Sequence, residues 1–400
     1  MKVLVVHNRY RSEQPSGENN VVDQEVALLA DGGHRVGLFE KRSDDIAQMS
    51  LPRKAIVPLQ VPWNRAVRAE FGARLRVDRP DVVHVHNTFP LISPSVLAAC
   101  ADARVPVVAT LHNYTMVCPP GTLYRDGHVC TDCVGGKPVA AVRHGCYRDS
   151  KLATVPMAAS LVANRRRWWS DVTRFFCISG AQREILVRAG MPSDRLVVKH
   201  NFVADPGVSR LGEGQHLLFL GRLTKEKGVG LLMTAWDRLA AAGGLGLPLV
   251  LAGTGPMQDE VARWAAGRED VEYAGLCSKE QCRELTSRAA AVVAPSAWLE
   301  AFGLVVVEAM AAGVPTVAAA HGAFTELVED GVTGLLHRPD DAGSLADRLR
   351  EIVAAPERNR QLGEAARRRY ERDFTPAVGL DRLITGYEVA VAAYEGVAAS

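Results

Sequence analysis

The chain has 400 residues, 48% of them hydrophobic and 23% charged, with a formal net charge of +2. That is a globular composition long enough for two domains of roughly 200 residues each, and its near-neutral balance supplies no field for a nucleic-acid partner. No run of about 18 apolar residues is free of charge and proline, so no membrane span is expected.

Met1 to Asn8 reads as a first strand rather than a signal peptide. Eight cysteines without a secretory signal make a reducing cytoplasm the expected compartment, with the inner face of a membrane as a further option, and argue against a disulfide framework. A loop carrying glycine, serine and proline, Ser12 to Asn20, precedes a helix with Val22, Val26 and Leu29 on one face. Asp31-Gly32-Gly33-His34 stops that helix. Arg35 to Glu40, Asp81 to His86, Val105 to Leu111, Arg174 to Ile178 and Arg195 to His200 read as further strands, with apolar-rich helices between most of them. The stretch Asn164 to Trp169 holds three arginines and two tryptophans. A solvated helix face is its plain reading, and contact with a membrane surface is the alternative.

The pattern breaks between Ala204 and Gln215, in Asp205-Pro206-Gly207 and Leu211-Gly212-Glu213-Gly214, which marks a linker. A new cycle starts at His216 to Gly221. It continues through strands at Leu247 to Gly253, Val271 to Gly275, Ala289 to Ala294, Pro315 to Ala319 and Thr333 to His337, and the tail Leu380 to Glu395 is an amphipathic helix. This alternation predicts an α/β chain with two doubly wound parallel-sheet domains, residues 1–203 and 204–376. Residues 377–400 form a helix that packs back towards the first domain. Ligands of such sheets lie at the carboxyl ends of the strands, so a deep cleft between the domains is the expected site.

Three stretches of the second half carry the chemistry. Pro295 to Gly313 follows a buried strand and sets Glu300, a glycine turn at Gly303 and an apolar helix bearing Glu308 in sequence. A helix that starts near Gly303 points its first N–H groups at whatever lies beside Glu300. In Gly221-Arg222-Leu223-Thr224-Lys225-Glu226-Lys227-Gly228 a strand ends and two cations, five positions apart, enter the loop. Arg222 offers a fork for phosphate oxygens and Lys227 a point charge. Gly253-Thr254-Gly255-Pro256 is a backbone turn at the next strand end.

Together these motifs resemble the family-4 retaining glycosyltransferases, which have the two-domain GT-B fold; the likeness is densest from Gly221 to Gly334. The resemblance implies that Arg222 and Lys227 bind the diphosphate of a nucleotide sugar, Glu308 the ribose hydroxyls and Glu300 the hydroxyls of the donor sugar. It implies backbone contacts to phosphate and sugar from Phe302, Gly303 and Leu304. Gly17 matches the glycine of the loop that closes over the diphosphate, with Ser16 where the family more often has a second glycine. His112, in Thr110-Leu111-His112-Asn113, matches the histidine that contacts the donor sugar. Leu276 stands where related enzymes hold the base through the main chain. Family members do this chemistry without a metal, so no cofactor is expected for catalysis, and front-face attack by the acceptor hydroxyl is the mechanism implied. Bacterial polysaccharide or glycoconjugate synthesis is the role implied, with natural-product synthesis second. A sugar-nucleotide epimerase on the same fold, or a non-catalytic nucleotide-sugar binder, is the alternative.

His86, Asn87, Asn113 and Tyr114, at strand ends of the first half, are candidate acceptor contacts, and each could equally be a satisfied strand-end group. Lys199 lies just before the linker and could reach the same cleft. Cys118, Cys130, Cys133 and Cys146 form C-x11-C-x2-C-x12-C in an insertion at 118–146. A structural zinc and four packed thiols are both open readings. A catalytic zinc is not expected, because four thiolates leave no open position.

Overall fold

The computed structural model describes residues 1–12, 16–210 and 212–399, with side chains to residue 396. Residues 13–15, inside the first glycine-bearing loop, and Leu211, in the linker stretch, lie outside the described residues. The chain divides into two compact units. Met1–Leu123, Thr131–His200 and Gly379–Ser400 form the first, and Tyr124–Cys130 with Asn201–Val378 form the second.

The first unit contains strands β1 (Lys2–Arg9), β2 (Arg35–Arg42), β3 (Val82–Asn87) and β4 (Val107–Leu111). An antiparallel hairpin follows, β5 (Tyr124–Arg125) and β6 (His128–Val129), which belongs to the second unit; the first unit then resumes with β7 (Arg174–Cys177) and β8 (Leu196–Val198). Its sheet runs β2-β1-β3-β4-β7-β8 and every pairing is parallel. Three helices of this unit matter below: α1 (Gly17–Asp31), α2 (Leu51–Gln60) and α3 (Lys151–Asp171). α1 starts where it does because the Ser16 hydroxyl accepts from the Asn19 N–H at 3.2 Å, which satisfies one of the free amides of the first turn.

The second unit is a six-stranded parallel sheet of order β11-β10-β9-β12-β13-β14. Its strands are β9 (His216–Leu220), β10 (Leu249–Ala252), β11 (Val271–Gly275), β12 (Ala289–Ala294), β13 (Thr316–Ala319) and β14 (Gly334–His337). α4 (Leu304–Ala311) follows β12, and α5 (Pro376–Ala399) ends the chain. β12 is buried along its whole length, as an apolar run must be when helices cover both faces of a sheet. Leu217, Phe219, Leu232, Trp236, Leu251 and Leu349 are among the residues that fill one side of this sheet.

From Gly379 onward α5 belongs to the first unit, where Leu383, Tyr387 and Ala390 pack with Val3, Val5, Val82 and Phe176. The packing explains a glycine in mid-helix: a Cβ on Gly386 would stand 2.3 Å from the Phe176 ring. Both sheets reverse their winding direction once, between β1 and β3 in the first unit and between β9 and β12 in the second. At such a switch point the flanking loops diverge and open a crevice at the carboxyl ends of the strands.

Candidate active site

At the switch point of the second unit, the loop after β9 carries Arg222 to Lys227 and the loop after β12 carries Pro295 to Gly303. A backbone bond ties these loops together, Ala297 N–H donating to Glu226 O at 2.9 Å, and Leu223 N–H donates to Thr254 O at 2.9 Å in the loop after β10. Lys227 Nζ donates to Glu300 Oε1 at 2.6 Å, and Ser296 Oγ donates to the same oxygen at 2.8 Å. Glu300 is buried. Burial alone would raise its pKa, but the charge of Lys227 and the bonds it receives outweigh that, so it is held below the usual carboxylate range. Its backbone is fixed from the other side, since Ala323 N–H donates to Glu300 O at 3.0 Å and His321 Nε2 lies 2.7 Å from Ser296 O.

Lys227 is half-buried, with its ammonium 5.1 Å from the centre of the Trp298 ring. Arg222 is exposed, and its guanidinium lies 3.8 Å from Glu226. Between these cations the Thr224 hydroxyl is buried without a hydrogen-bond partner in the structure. Gly303 precedes α4 at φ 104°, and a Cβ there would stand 2.5 Å from the Phe324 ring, so only glycine turns the chain into the helix at this point. Leu304 and Val305 then present helix-start amides beside Glu300. Gly253 has φ 138°, and a Cβ would stand 1.9 Å from Gly221 O, which binds the ends of β9 and β10 closely together. Phe302 is buried edge-on against Phe374, so only its backbone faces the site, and Glu308 and Leu276 are exposed. This structure adds Ser296, Thr224 and His321, which no spacing in the sequence singled out.

At the switch point of the first unit lies a polar cluster that the sequence revealed only in part. His112 Nε2 and His86 Nδ1 are 2.9 Å apart. His86 Nε2 is 3.6 Å from Glu25 Oε2, and the other carboxylate oxygen of Glu25 is bonded by Lys199. Lys199 is thus a buried counter-charge of the first unit rather than a cleft-facing cation. His84 lies beside this pair, with Nε2 2.8 Å from Thr110 Oγ1 and Nδ1 2.7 Å from the Tyr387 hydroxyl. Burial, with the positive charge of Lys199 contributing, holds His84, His86 and His112 well below the usual histidine pKa, so all three are neutral.

Neutral rings have defined tautomers. At 2.9 Å, neutral His86 and His112 share one proton between Nδ1 and Nε2, one ring donating and the other accepting, while His86 Nε2 and Glu25 Oε2 are buried without a hydrogen-bond partner in the structure. Glu25, His84 and His86 have the spacing of a metal-ligand set. Lys199 already neutralises Glu25, and Tyr387 already occupies His84 Nδ1, so this set does not suit a cation.

A pocket of about 100 Å³ opens at this end of the first sheet. Glu18, His86, Asn87, His112 and Asn113 give it polar walls, while Phe89, Met116, Met157, Leu161 and Trp168 give it apolar ones. The Glu18 carboxyl is pushed up to about 8 by burial, a change only partly offset by a hydrogen bond from Tyr10. Asn87 borders the pocket with its amide committed, donating to Asn8 O at 3.0 Å and accepting from Phe89 N–H at 2.9 Å. Tyr114 is fully buried, a core ring and not an acceptor contact. Gly17 is the first residue of α1. Of the four clustered cysteines, Cys118, Cys133 and Cys146 belong to the first unit and Cys130 to the second.

The chain matches the family "Glycosyltransferase Family 4" over residues 15–205 and the family "Glycosyl transferases group 1" over residues 207–369. It is a family-4 glycosyltransferase. Among its relatives, a glycogen synthase of Mycobacterium tuberculosis is 31% identical over 299 residues, 74% of this chain and 66% of that one. The sulfoquinovosyl transferase SQD2 of Arabidopsis thaliana is 24% identical over 78% of this chain and 58% of its own. This glycosyltransferase therefore spans about six-tenths of the length of those relatives. Its fold matches HepE of Anabaena in complex with UDP-glucose, at TM-score 0.69, 19% identity and coverage of 97% and 100% of the two chains. It also matches a sucrose-phosphate synthase of Thermosynechococcus elongatus, at TM-score 0.71, 19% identity and coverage of 98% and 99%. The glycosyltransferase has the GT-B fold.

Proposed function

We propose that this glycosyltransferase moves a sugar from a nucleoside-diphosphate sugar to an acceptor hydroxyl with retention of anomeric configuration. The reading rests on the Lys227–Glu300 contact beside the start of α4, which gathers a cation, a carboxylate and helix-start amides at the switch point of one sheet. Glycosyl transfer develops positive charge on the sugar and negative charge on the departing diphosphate. Lys227, Arg222 and the amides of Leu304 and Val305 would meet that negative charge where it grows, each such donor contributing on the order of 3 kcal/mol. These groups supply the charge stabilisation, so no metal is needed for the chemistry. Glu300, kept ionised by Lys227, would accept hydroxyl protons of the donor sugar, and Glu308 those of the ribose.

Glu300 Oε1 already takes two hydrogen bonds, which suits a fixed clamp better than a covalent nucleophile. The acceptor hydroxyl would then attack from the side of the leaving group, and the departing phosphate would take its proton. His112, a neutral ring at the pocket wall, would contact a hydroxyl of the sugar. Solved relatives named as complexes with UDP and UDP-glucose make UDP-sugars the first donors to try. The combined set Arg222, Lys227, Glu300 and Glu308 favours transfer over epimerisation. The test is incubation with UDP-, GDP- and ADP-sugars without acceptor. Slow release of free nucleoside diphosphate from one of them is expected; an epimerised donor, or binding with no turnover, would overturn the reading.

A further inference from the structure

The aliphatic residues left on the surface of the first unit form a pattern. On α2, Leu51 is 80% exposed and Leu59 77%, Ile56 is exposed with them, and Val57 is buried. At about 100° per residue, Leu51, Ala55, Leu59 and Ile56 share the outer arc of that helix. α3 repeats the arrangement. Leu152 is 83% exposed, and Val155, Ala159 and Val162 continue its stripe, while Met157, Asn164 and Trp168 lie buried on the opposite side. Lys151 and Arg166, both exposed, stand at the two ends of the stripe. A helix on a globular surface ordinarily turns polar residues outward; these two turn aliphatic ones.

The two helices are neighbours. Asn164 Nδ2 donates to Pro62 O at 2.9 Å, just beyond the end of α2. Together they carry six cations, Arg53, Lys54, Lys151, Arg165, Arg166 and Arg167, and one acid, Asp171, which Arg167 pairs at 2.9 Å. The tryptophans that drew attention in the sequence are not the outward element: Trp168 is buried, and Trp169 lies beneath Arg165 at 4.2 Å. A crevice of about 200 Å³ opens beside the stripe, with Leu161, Val162 and Trp169 as apolar walls and Lys137 and Arg165 as cations.

We propose that the α2–α3 face docks on an anionic lipid bilayer. Aliphatic side chains flanked by uncompensated cations match an interface of acyl chains and negative headgroups. A second copy using the same face would set six cations and one acid, a net +5, against the same net +5. A protein partner would call for the aromatic-rich contact surface typical of such interfaces, and here the aromatic rings are turned inward. The inward side of α3 supplies Met157, Leu161 and Trp168 to the pocket beside His112, so docking face and pocket share one helix.

The inference goes beyond the proposed reaction, and its test reads binding without donor or turnover, so the two can fail separately. The full chain is sedimented with vesicles of phosphatidylcholine alone and with vesicles in which about a third of the lipid is phosphatidylglycerol. At least tenfold stronger binding to the anionic vesicles is expected, falling as salt rises. Leu152→Ser with Val162→Ser, and separately Lys151→Ser with Arg166→Ser, should each reduce it severalfold with circular dichroism and melting temperature unchanged. No partition to either vesicle, equal partition to both, or a concentration-dependent dimer that these substitutions abolish would overturn the proposal.

Discussion

The two switch points solve opposite problems with the same kinds of residue. In the second unit, a lysine and a glutamate meet at 2.6 Å, with the lysine half-buried and open to a ligand. In the first unit, a lysine and a glutamate also pair, but Lys199 and Glu25 are both fully enclosed and hold each other rather than a substrate. In the proposed reaction, the first pair would offer its charge to an incoming phosphate. The other lies enclosed beside neutral histidines whose pKa it helps to lower. An ion pair carries chemistry when one partner remains accessible, and architecture when neither does.

The sharpest way to break this contrast is to remove one acid from each pair. Glu25→Ala leaves the Lys199 ammonium buried without a partner, which costs about 3–5 kcal/mol. A large drop in the melting temperature of the first unit is expected, with nucleotide binding unchanged; a melting temperature equal to the parent's would count against a structural pair. Lys227→Ala should do the reverse. It keeps the fold by circular dichroism and lowers turnover at least about a hundredfold. Near-parental turnover in that variant would remove Lys227 from the site.

Smaller effects sharpen the comparison. His112→Ala should lower kcat/KM by about tenfold, the scale of one neutral hydrogen bond, with the melting temperature little changed. Unchanged kcat/KM in that variant would remove His112 from the site.

The smallest effect is on pH. Glu18 holds its proton up to about 8 in the folded protein, above the usual carboxyl value. Its contribution is therefore complete at acid pH and is lost as pH rises towards about 8, because the unfolded chain gives up the proton first. The three lowered histidines act in the opposite sense, losing stability as pH falls below the ordinary histidine value. Glu18→Gln should flatten the alkaline loss in a series of melting curves; an unchanged slope would show that this carboxyl titrates normally.

The second unit was legible in the sequence because its site is local. Arg222 to Lys227 and Glu300 to Gly303 are short stretches, each at the end of one strand, and a single strand order brings β9 beside β12. The alternation of strands and helices was legible for the same reason, since apolar runs between glycine-bearing turns record burial on two faces. The first unit's cluster was not. His86, His112 and Lys199 stood out at strand ends, but Glu25, His84 and Tyr387 come from distant parts of the chain, and each alone is an ordinary residue. Glu25 lies seven positions after Glu18 on α1, two helical turns along the same face, and that spacing was the one local signal available. Tyr114 stayed open in the sequence because a strand-end aromatic and a core aromatic look alike without depth.

The most direct test is calorimetric titration of UDP, GDP and ADP into the parent chain and into Lys227→Ala. The parent should bind at least one of the three, and the substitution should weaken that binding at least tenfold while the folded signal stays intact. Equal affinity in both proteins would contradict a diphosphate site at the β9–β12 switch point.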